Sequence, residues 1–191
     1  MHNLVFFASG SGTNFQSVID AITSGSINAN ITGLISDRKQ AGAIKRARLH
    51  NIPVFVIEPE KPEFSERLLD TLRQCNPDLI ILAGYLKKIP DAVTREYRGR
   101  IINIHPSLLP KYGGKGYYGL KVHEAVLRNG ETETGCTVHY VDEVYDNGTI
   151  IDQRTVHVDA LDTPKSLAKK VLKEEHELLP KVIKLILTEI K

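Results

Sequence analysis

The sequence predicts an α/β fold: a doubly wound, Rossmann-like, mostly parallel sheet that finishes in an antiparallel C-terminal strand pair and a long C-terminal helix. Three observations carry this. Short apolar runs alternate with amphipathic stretches through roughly the first hundred residues, which implies parallel strands joined by helices. The run at 79–83, Leu-Ile-Ile-Leu-Ala, is continuously apolar, as expected of a strand covered on both faces. After residue 130 two segments follow, the first alternating apolar with polar, joined by the turn-forming Asp146-Asn147-Gly148.

The elements follow in order. A first strand at 4–8 ends in Ser9-Gly10-Ser11-Gly12-Thr13-Asn14. Phe15, Val18, Ile19 and Ile22 then recur at helical spacing, and Gly25 closes that helix. A second strand at 31–35 precedes a basic helix at 41–50. A third strand at 54–57 precedes a helix at 63–75, ended by Asn76-Pro77. Strand 79–83 leads into a short helix at 90–97 and a fifth strand at 100–104. A glycine-rich loop, 113–119, is followed by a helix at 120–128 capped by Asn129-Gly130. Segment 134–141 alternates in the manner of an exposed antiparallel strand, with 149–157 as its partner. Thr163-Pro164 opens the last helix, with Pro near the first turn where its missing N–H costs little. Pro180 is expected to kink or break that helix. Its apolar face at 178–190 reads as core rather than a dimer contact.

The 191 residues suit a single domain, 1–191, and composition is ordinary for a soluble protein at 41% hydrophobic and 25% charged. A net charge of +2 argues against a dedicated nucleic-acid surface. The apolar stretch at 4–8 is too short for a signal peptide, and no stretch approaches a membrane span. Cys75 and Cys136 lack metal-like spacing, so a reduced, cytoplasmic context with free thiols is expected. Oligomeric state stays open between monomer and homodimer.

The segment Asn103-Ile104-His105-Pro106-Ser107-Leu108-Leu109-Pro110 is the most informative. If the fifth strand runs to 105, period two puts Asn103 and His105 on one face, and Pro106 stops the strand where a site would open. A donor beside an imidazole suits holding a carbonyl and stabilising an oxyanion. Asp146 joins them only if its turn folds over the end of that strand, where a carboxylate favours imidazolium and can hold a water for proton transfer. The glycine-rich turn at 9–14 leaves backbone N–H groups for a phosphate. A dinucleotide fingerprint would place a third glycine at 15, where Phe15 stands, although Asp37 follows the second strand as a ribose-binding acid would. A monophosphate fits better.

Other candidates are weaker. Lys87 and Lys88 are read equally as receivers of a carboxylate tail or as a solvated loop, and Tyr117 and Tyr118 sit in a loop that could close over a ligand. His139 faces either a site or solvent, while His2, His50, His123 and His157 read as surface residues. His176 is on a different helix face from Glu175. No histidine has a metal-ligand spacing, so no metal is expected. Ser107 is not in Gly-x-Ser-x-Gly.

Asn103-Ile104-His105-Pro106-Ser107-Leu108-Leu109-Pro110, followed by Gly135-Cys136-Thr137-Val138-His139-Tyr140-Val141 and Asp146-Asn147-Gly148, resembles the folate-dependent formyltransferase family. The likeness runs over essentially the whole chain. It implies formyl transfer from 10-formyltetrahydrofolate, a co-substrate, to the primary amine of glycinamide ribonucleotide, on small-molecule substrates alone. It further implies that Asn103 holds the formyl oxygen, that His105 as imidazolium stabilises the oxyanion and supplies a proton, and that Asp146 raises the pKa of His105 and relays a proton through a water. Gly12, Thr13 and Asn14 would take the phosphate and Glu175 would contact the ribonucleotide, with 1–100 as the ribonucleotide-binding half. The half at 101–191 would be catalytic and folate-binding. Leu86, Lys87, Lys88 and Ile89, with Asn103 and the backbone around 141–146, would form the folate pocket. Departures from the family pattern are the longer 113–119 loop, Lys61 where an arginine for the folate tail is common, and Asn147 where a glycine is frequent, a residue that tolerates a left-handed turn. The additional tRNA-binding or regulatory domains of other members are not expected. Two other classes compete: a phosphate-binding module without chemistry, and an NAD(P)-dependent oxidoreductase.

Overall fold

The computed structural model of the protein describes residues 1–190. Strands β1 (His2–Phe7), β2 (Ala29–Ser36), β3 (Val54–Val56), β4 (Leu79–Leu82) and β5 (Ile101–His105) alternate with helices α1 (Thr13–Thr23), α2 (Gly42–Leu49), α3 (Phe64–Cys75) and α4 (Asp91–Glu96). Helix α5 (Leu120–Arg128), strands β6 (Glu133–Tyr140) and β7 (Ile150–His157) and helix α6 (Pro164–Glu189) complete the chain. One seven-stranded sheet has the order β3-β2-β1-β4-β5-β6-β7. β1 to β5 run parallel, and β6 pairs antiparallel with both β5 and β7.

Alternation along the strands builds two cores. Leu4, Phe6, Ile81, Ile102 and Val138 point to the face covered by α1, α2, α5 and α6. Val5, Phe7, Ile80, Leu82 and Ile101 point to the other, where Leu68, Leu72 and Val93 come from α3 and α4. Beyond Ile101 that second face runs out of helix. Asn103 and His105 continue it, and the antiparallel register sets Asn103 opposite His139 and His105 opposite Thr137. Loops rather than helices cover this corner, so it is where a site can form.

Two expectations are corrected. β6 is not exposed: Thr134 to His139 are buried, because β7 pairs beyond it and α6 packs on its face. The exposed strand is β7, an edge of the sheet. Pro180 does not break α6, which runs as one helix of 26 residues. Losing one backbone bond costs about 3 kcal/mol. Leu178, Leu179, Val182, Ile183, Ile186 and Leu187 are all buried around it, at about 1.5–3 kcal/mol for each such side chain. Packing therefore outweighs the proline, and this face is core as expected.

The start of α6 is fixed locally. The Thr163 hydroxyl accepts from the Ser166 N–H at 3.1 Å, the Ser166 hydroxyl accepts from the Thr163 N–H at 2.9 Å, and Pro164 occupies the first turn. Thr163→Ala should cost about 1 kcal/mol, lowering Tm by roughly 2–4 °C in a thermal melt. An unchanged Tm would show that the cap contributes nothing measurable.

Candidate active site

The strand order reverses between β1 and β4, and in open α/β sheets ligands bind outside the carboxyl ends of the strands at such a point. A cleft of about 660 Å3 opens there, lined by the loops after β1, β4 and β5, the β6–β7 loop, and parts of α5 and α6.

The loop after β1 supplies Gly12, Thr13 and Asn14 to the cleft. Gly12 has φ 72°, and a Cβ there would lie 2.6 Å from Ala43 Cβ of α2, so only glycine fits. No side chain caps α1, which leaves its first-turn N–H groups for a ligand. Phe15 packs on Phe6 with ring centroids 4.9 Å apart, so the position a dinucleotide fingerprint reserves for glycine is part of the core. Asp37 is buried beside Arg38 at 2.9 Å and does not line the cleft. Both findings count against the dinucleotide reading.

Glu175 reaches the same end of the cleft from α6, and its Oε2 accepts from Asn14 Nδ2 at 2.6 Å. The carboxyl is buried with no cation against it among the described residues. Burial pushes its pKa up to about 7, a rise the Asn14 hydrogen bond only partly offsets.

The centre of the cleft is a cluster around Asp146. Its Oδ2 accepts from the Gly114 N–H at 2.8 Å, and its Oδ1 accepts from Asn103 Nδ2 at 3.4 Å. His105 Nδ1 lies 3.7 Å from Oδ2 and His139 Nε2 lies 3.6 Å from Oδ1. His105 Nε2 is 2.8 Å from the Tyr112 carbonyl and His139 Nδ1 is 2.8 Å from the Tyr140 carbonyl, which fixes both rings. Asn103 Nδ2 is also 3.1 Å from His139 Nε2, so Asn103 and Asp146 are joined through the face of β5 and β6.

Electrostatics modifies the expected role of Asp146. Burial lowers the pKa of His105 below the ordinary histidine value, and the nearby carboxylate only partly offsets this. Burial raises the Asp146 pKa, but the imidazoles and the Gly114 N–H more than compensate and hold it below the usual carboxylate range.

Leu86, Lys87, Lys88 and Ile89 line the cleft beside Tyr145 and Val144 of the β6–β7 loop. Lys87 is paired with Glu60 at 3.0 Å and Lys88 with Asp91 at 2.8 Å. Lys61 does not join them. It is exposed and outside the cleft lining, next to the Glu60 that pairs with Lys87. The left-handed residue of the β6–β7 turn is Asp146 itself, at φ 51°, rather than Asn147. Glycine is needed at 148, where a Cβ would sit 1.8 Å from the Tyr140 carbonyl oxygen.

Three residues of the site escaped the sequence reading or were left undecided by it. His139 is buried and points inward, a consequence of strand register that its alternation with Thr137 hints at. His123, expected at the surface, is buried and lines the cleft; burial pushes its pKa down to about 4. Its place beside Val122 and three residues before Val126, on the buried stripe of α5, was the available signal. Thr137 pins the 106–110 segment: its hydroxyl donates to the Ser107 carbonyl at 2.6 Å and accepts from the Leu109 N–H at 3.1 Å.

The protein is thus a doubly wound α/β sheet whose switch point brings together an uncapped helix start and an Asn–His–Asp cluster. The sequence pattern described as formyl transferase matches residues 2–183, and the chain belongs to that family. It is 44% identical over 97% of its length to phosphoribosylglycinamide formyltransferase, chloroplastic, of Arabidopsis thaliana, and spans less than two thirds, 65%, of that protein. It is 38% identical to phosphoribosylglycinamide formyltransferase of Bacillus subtilis, covering 98% of this chain and 95% of the relative. Among solved structures, glycinamide ribonucleotide transformylase 1 of Geobacillus kaustophilus superposes with a TM-score of 0.90 at 40% identity, covering 97% of this chain and 98% of that one.

Two measurements test the electrostatics. In Asp146→Asn the compensating charge is gone, so the His105 pKa followed by NMR should fall further; an unchanged or higher value would show that the carboxylate does not act on the ring. For Glu175 the folded pKa of about 7 exceeds the ordinary 4.5, so its contribution to stability is complete below 4.5 and is lost as pH rises to about 7. Glu175→Gln should therefore gain Tm relative to the parent across that window. Parallel melting curves would contradict it.

Proposed function

We propose that the protein transfers the formyl group of 10-formyltetrahydrofolate to the primary amine of glycinamide ribonucleotide, a step of purine biosynthesis. The observation that carries this is the convergence of Asn103, His105 and Asp146 in one cleft with the Gly12–Asn14 loop and with Leu86, Val144 and Tyr145. Its relatives' names point to the same reaction.

In this reading the phosphate rests on the N–H groups of Gly12, Thr13 and Asn14, and Glu175 contacts the ribonucleotide. The folate lies along Leu86, Lys87, Lys88 and Ile89 and the 141–146 backbone, with its tail toward Lys61, whose neighbour Glu60 pairs with Lys87. Residues 1–100 mainly bind the ribonucleotide, and 101–191 mainly serve catalysis and the folate. Direct attack of the amine on the formyl carbon needs no covalent enzyme intermediate, only positioning and charge stabilisation. Asn103 Nδ2 leaves His139 and Asp146 to donate to the developing oxyanion. His105 has an acceptor against each ring nitrogen, the Tyr112 carbonyl and Asp146. His105, as imidazolium, stabilises the oxyanion and supplies a proton to the folate N10 as the C–N10 bond breaks. Asp146 supports that imidazolium and, through a water, relays the proton lost by the amine back to His105.

Among the described residues no cluster of His, Cys, Asp and Glu is placed to hold a metal ion, and no helix is long and apolar enough to cross a membrane. We assign the protein to the cytoplasm, on the strength of two buried free cysteines, as a monomer or homodimer without nucleic-acid partners.

The test is a spectrophotometric assay of formyl loss from 10-formyltetrahydrofolate with and without the ribonucleotide. Asn103→Ala, His105→Ala and Asp146→Ala should each lower kcat by roughly 100-fold or more while ribonucleotide binding is retained. Wild-type turnover in any of them would refute its role, and formyl loss without the ribonucleotide would identify a hydrolase.

A further inference from the structure

A phosphomonoester carries about −1.5 to −2 charge at pH 7, yet no lysine or arginine side chain comes from the anion loop itself. The face of α6 that lines the cleft beside it offers Ala168, Leu172 and Glu175, so its one ionisable group is an acid. Of the lysines lining the cleft, Lys87 and Lys88 are engaged by Glu60 and Asp91. Lys115 is exposed, and among the described residues no carboxylate lies within ion-pair distance of it. It stands between Gly114 and Gly116, at φ 87° and 100°, in the loop that follows β5.

The course of this loop links Lys115 to the ribonucleotide end. At one side the Gly114 N–H is bonded to Asp146. At the other the chain enters α5, which packs on α6, which packs on α1, the helix whose start forms the anion loop. Gly119 and Leu120 line the same cleft as Thr13, Asn14 and Glu175. Lys115 is thus a cation without an ion pair that lines the same cleft as Thr13 and Asn14, on a short glycine-flanked stretch, whereas Arg46 of α2 is held by the Ser11 carbonyl and Gln16.

We propose that Lys115 supplies the counter-charge to the phosphate of the ribonucleotide substrate, making the 113–119 loop the second wall of that subsite. This rests on the proposed ribonucleotide substrate. Lys115 is then a substrate-positioning residue and takes no part in proton transfer.

The experiment compares the parent, Lys115→Ala and Lys115→Arg with glycinamide ribonucleotide and with its dephosphorylated riboside. Calorimetric binding of ribose 5-phosphate runs alongside. Lys115→Ala should raise KM for the ribonucleotide by about 10-fold or more, as expected for loss of one charge-assisted hydrogen bond. Its kcat and its KM for the formyl donor should stay near the parent values. Lys115→Arg should recover most of the loss, the loss should shrink with added salt, and with the riboside parent and variant should behave alike. An equal change on riboside and ribonucleotide, a change confined to the formyl donor, or no change would each overturn the proposal. If the parent does not turn over the ribonucleotide, the proposed reaction fails, and ribose 5-phosphate decides separately. Weaker binding to Lys115→Ala supports the phosphate role; equal binding refutes it.

Discussion

Asp146 carries a negative charge in a side chain only 12% exposed, with no lysine or arginine against it among the described residues. Taking a carboxylate out of water costs several kcal/mol unless donors replace the lost hydration. Here the donors come from the Gly114 N–H after β5 and from Asn103 on β5, with His105 and His139 at the edge of reach. Asp146 also holds φ 51°, a conformation disfavoured by about 1 kcal/mol or more for a residue with a Cβ. The bonds to its carboxylate offset that cost. The 113–119 loop, the β6–β7 turn and the end of β5 are therefore one electrostatic unit, and none of them can relax without stranding the charge.

That unit can exist because the helices stop short of it. α3 and α4 cover the sheet face up to Ile101, and the next residues on that face are Asn103 and His105. The antiparallel turn of the chain into β6 brings a second strand alongside, whose same-face residues are Thr137 and His139. Polar side chains there would be intolerable beneath a packed helix. Under loops they find the Tyr112, Tyr140 and Ser107 carbonyls instead. The anion loop, by contrast, is braced by α2: Ala43 fills the space a Cβ at Gly12 would need, and Arg46 Nε donates to the Ser11 carbonyl at 2.9 Å. The cleft thus joins a loop braced by a helix to a loop cluster held by one charge.

Much of this was legible before the structure. Strand and helix order followed from apolar alternation, and the pairing of Asn103 with His105 followed from period two. What was not legible depended on neighbours in space. The burial of His139 needs the β5–β6 register, which no local pattern encodes. Segment 134–141 looks half-exposed because its alternation is real, yet both of its faces are covered. Pro180 reads as a breaker when its helix is considered alone and is tolerated because the core surrounds it. The environment of His105 was half legible for a related reason: a carboxylate neighbour can be guessed from sequence, but the depth of burial that opposes its effect cannot. Lys61 is exposed beside Glu60, which pairs with Lys87 of the cleft.

The two open edges of the sheet bear on how the chain behaves when crowded. β3 offers only three residues to a would-be partner strand. β7 is longer, but Asp152 lies on its α6 face, where Lys181 reaches it at 2.8 Å, and Gln153 on the opposite face bonds Thr137. A foreign strand pairing there would have to lay its side chains beside those charged and polar groups. The sheet's seven strands thus end in borders that discourage fibrillar stacking, leaving self-association to surfaces other than strand edges.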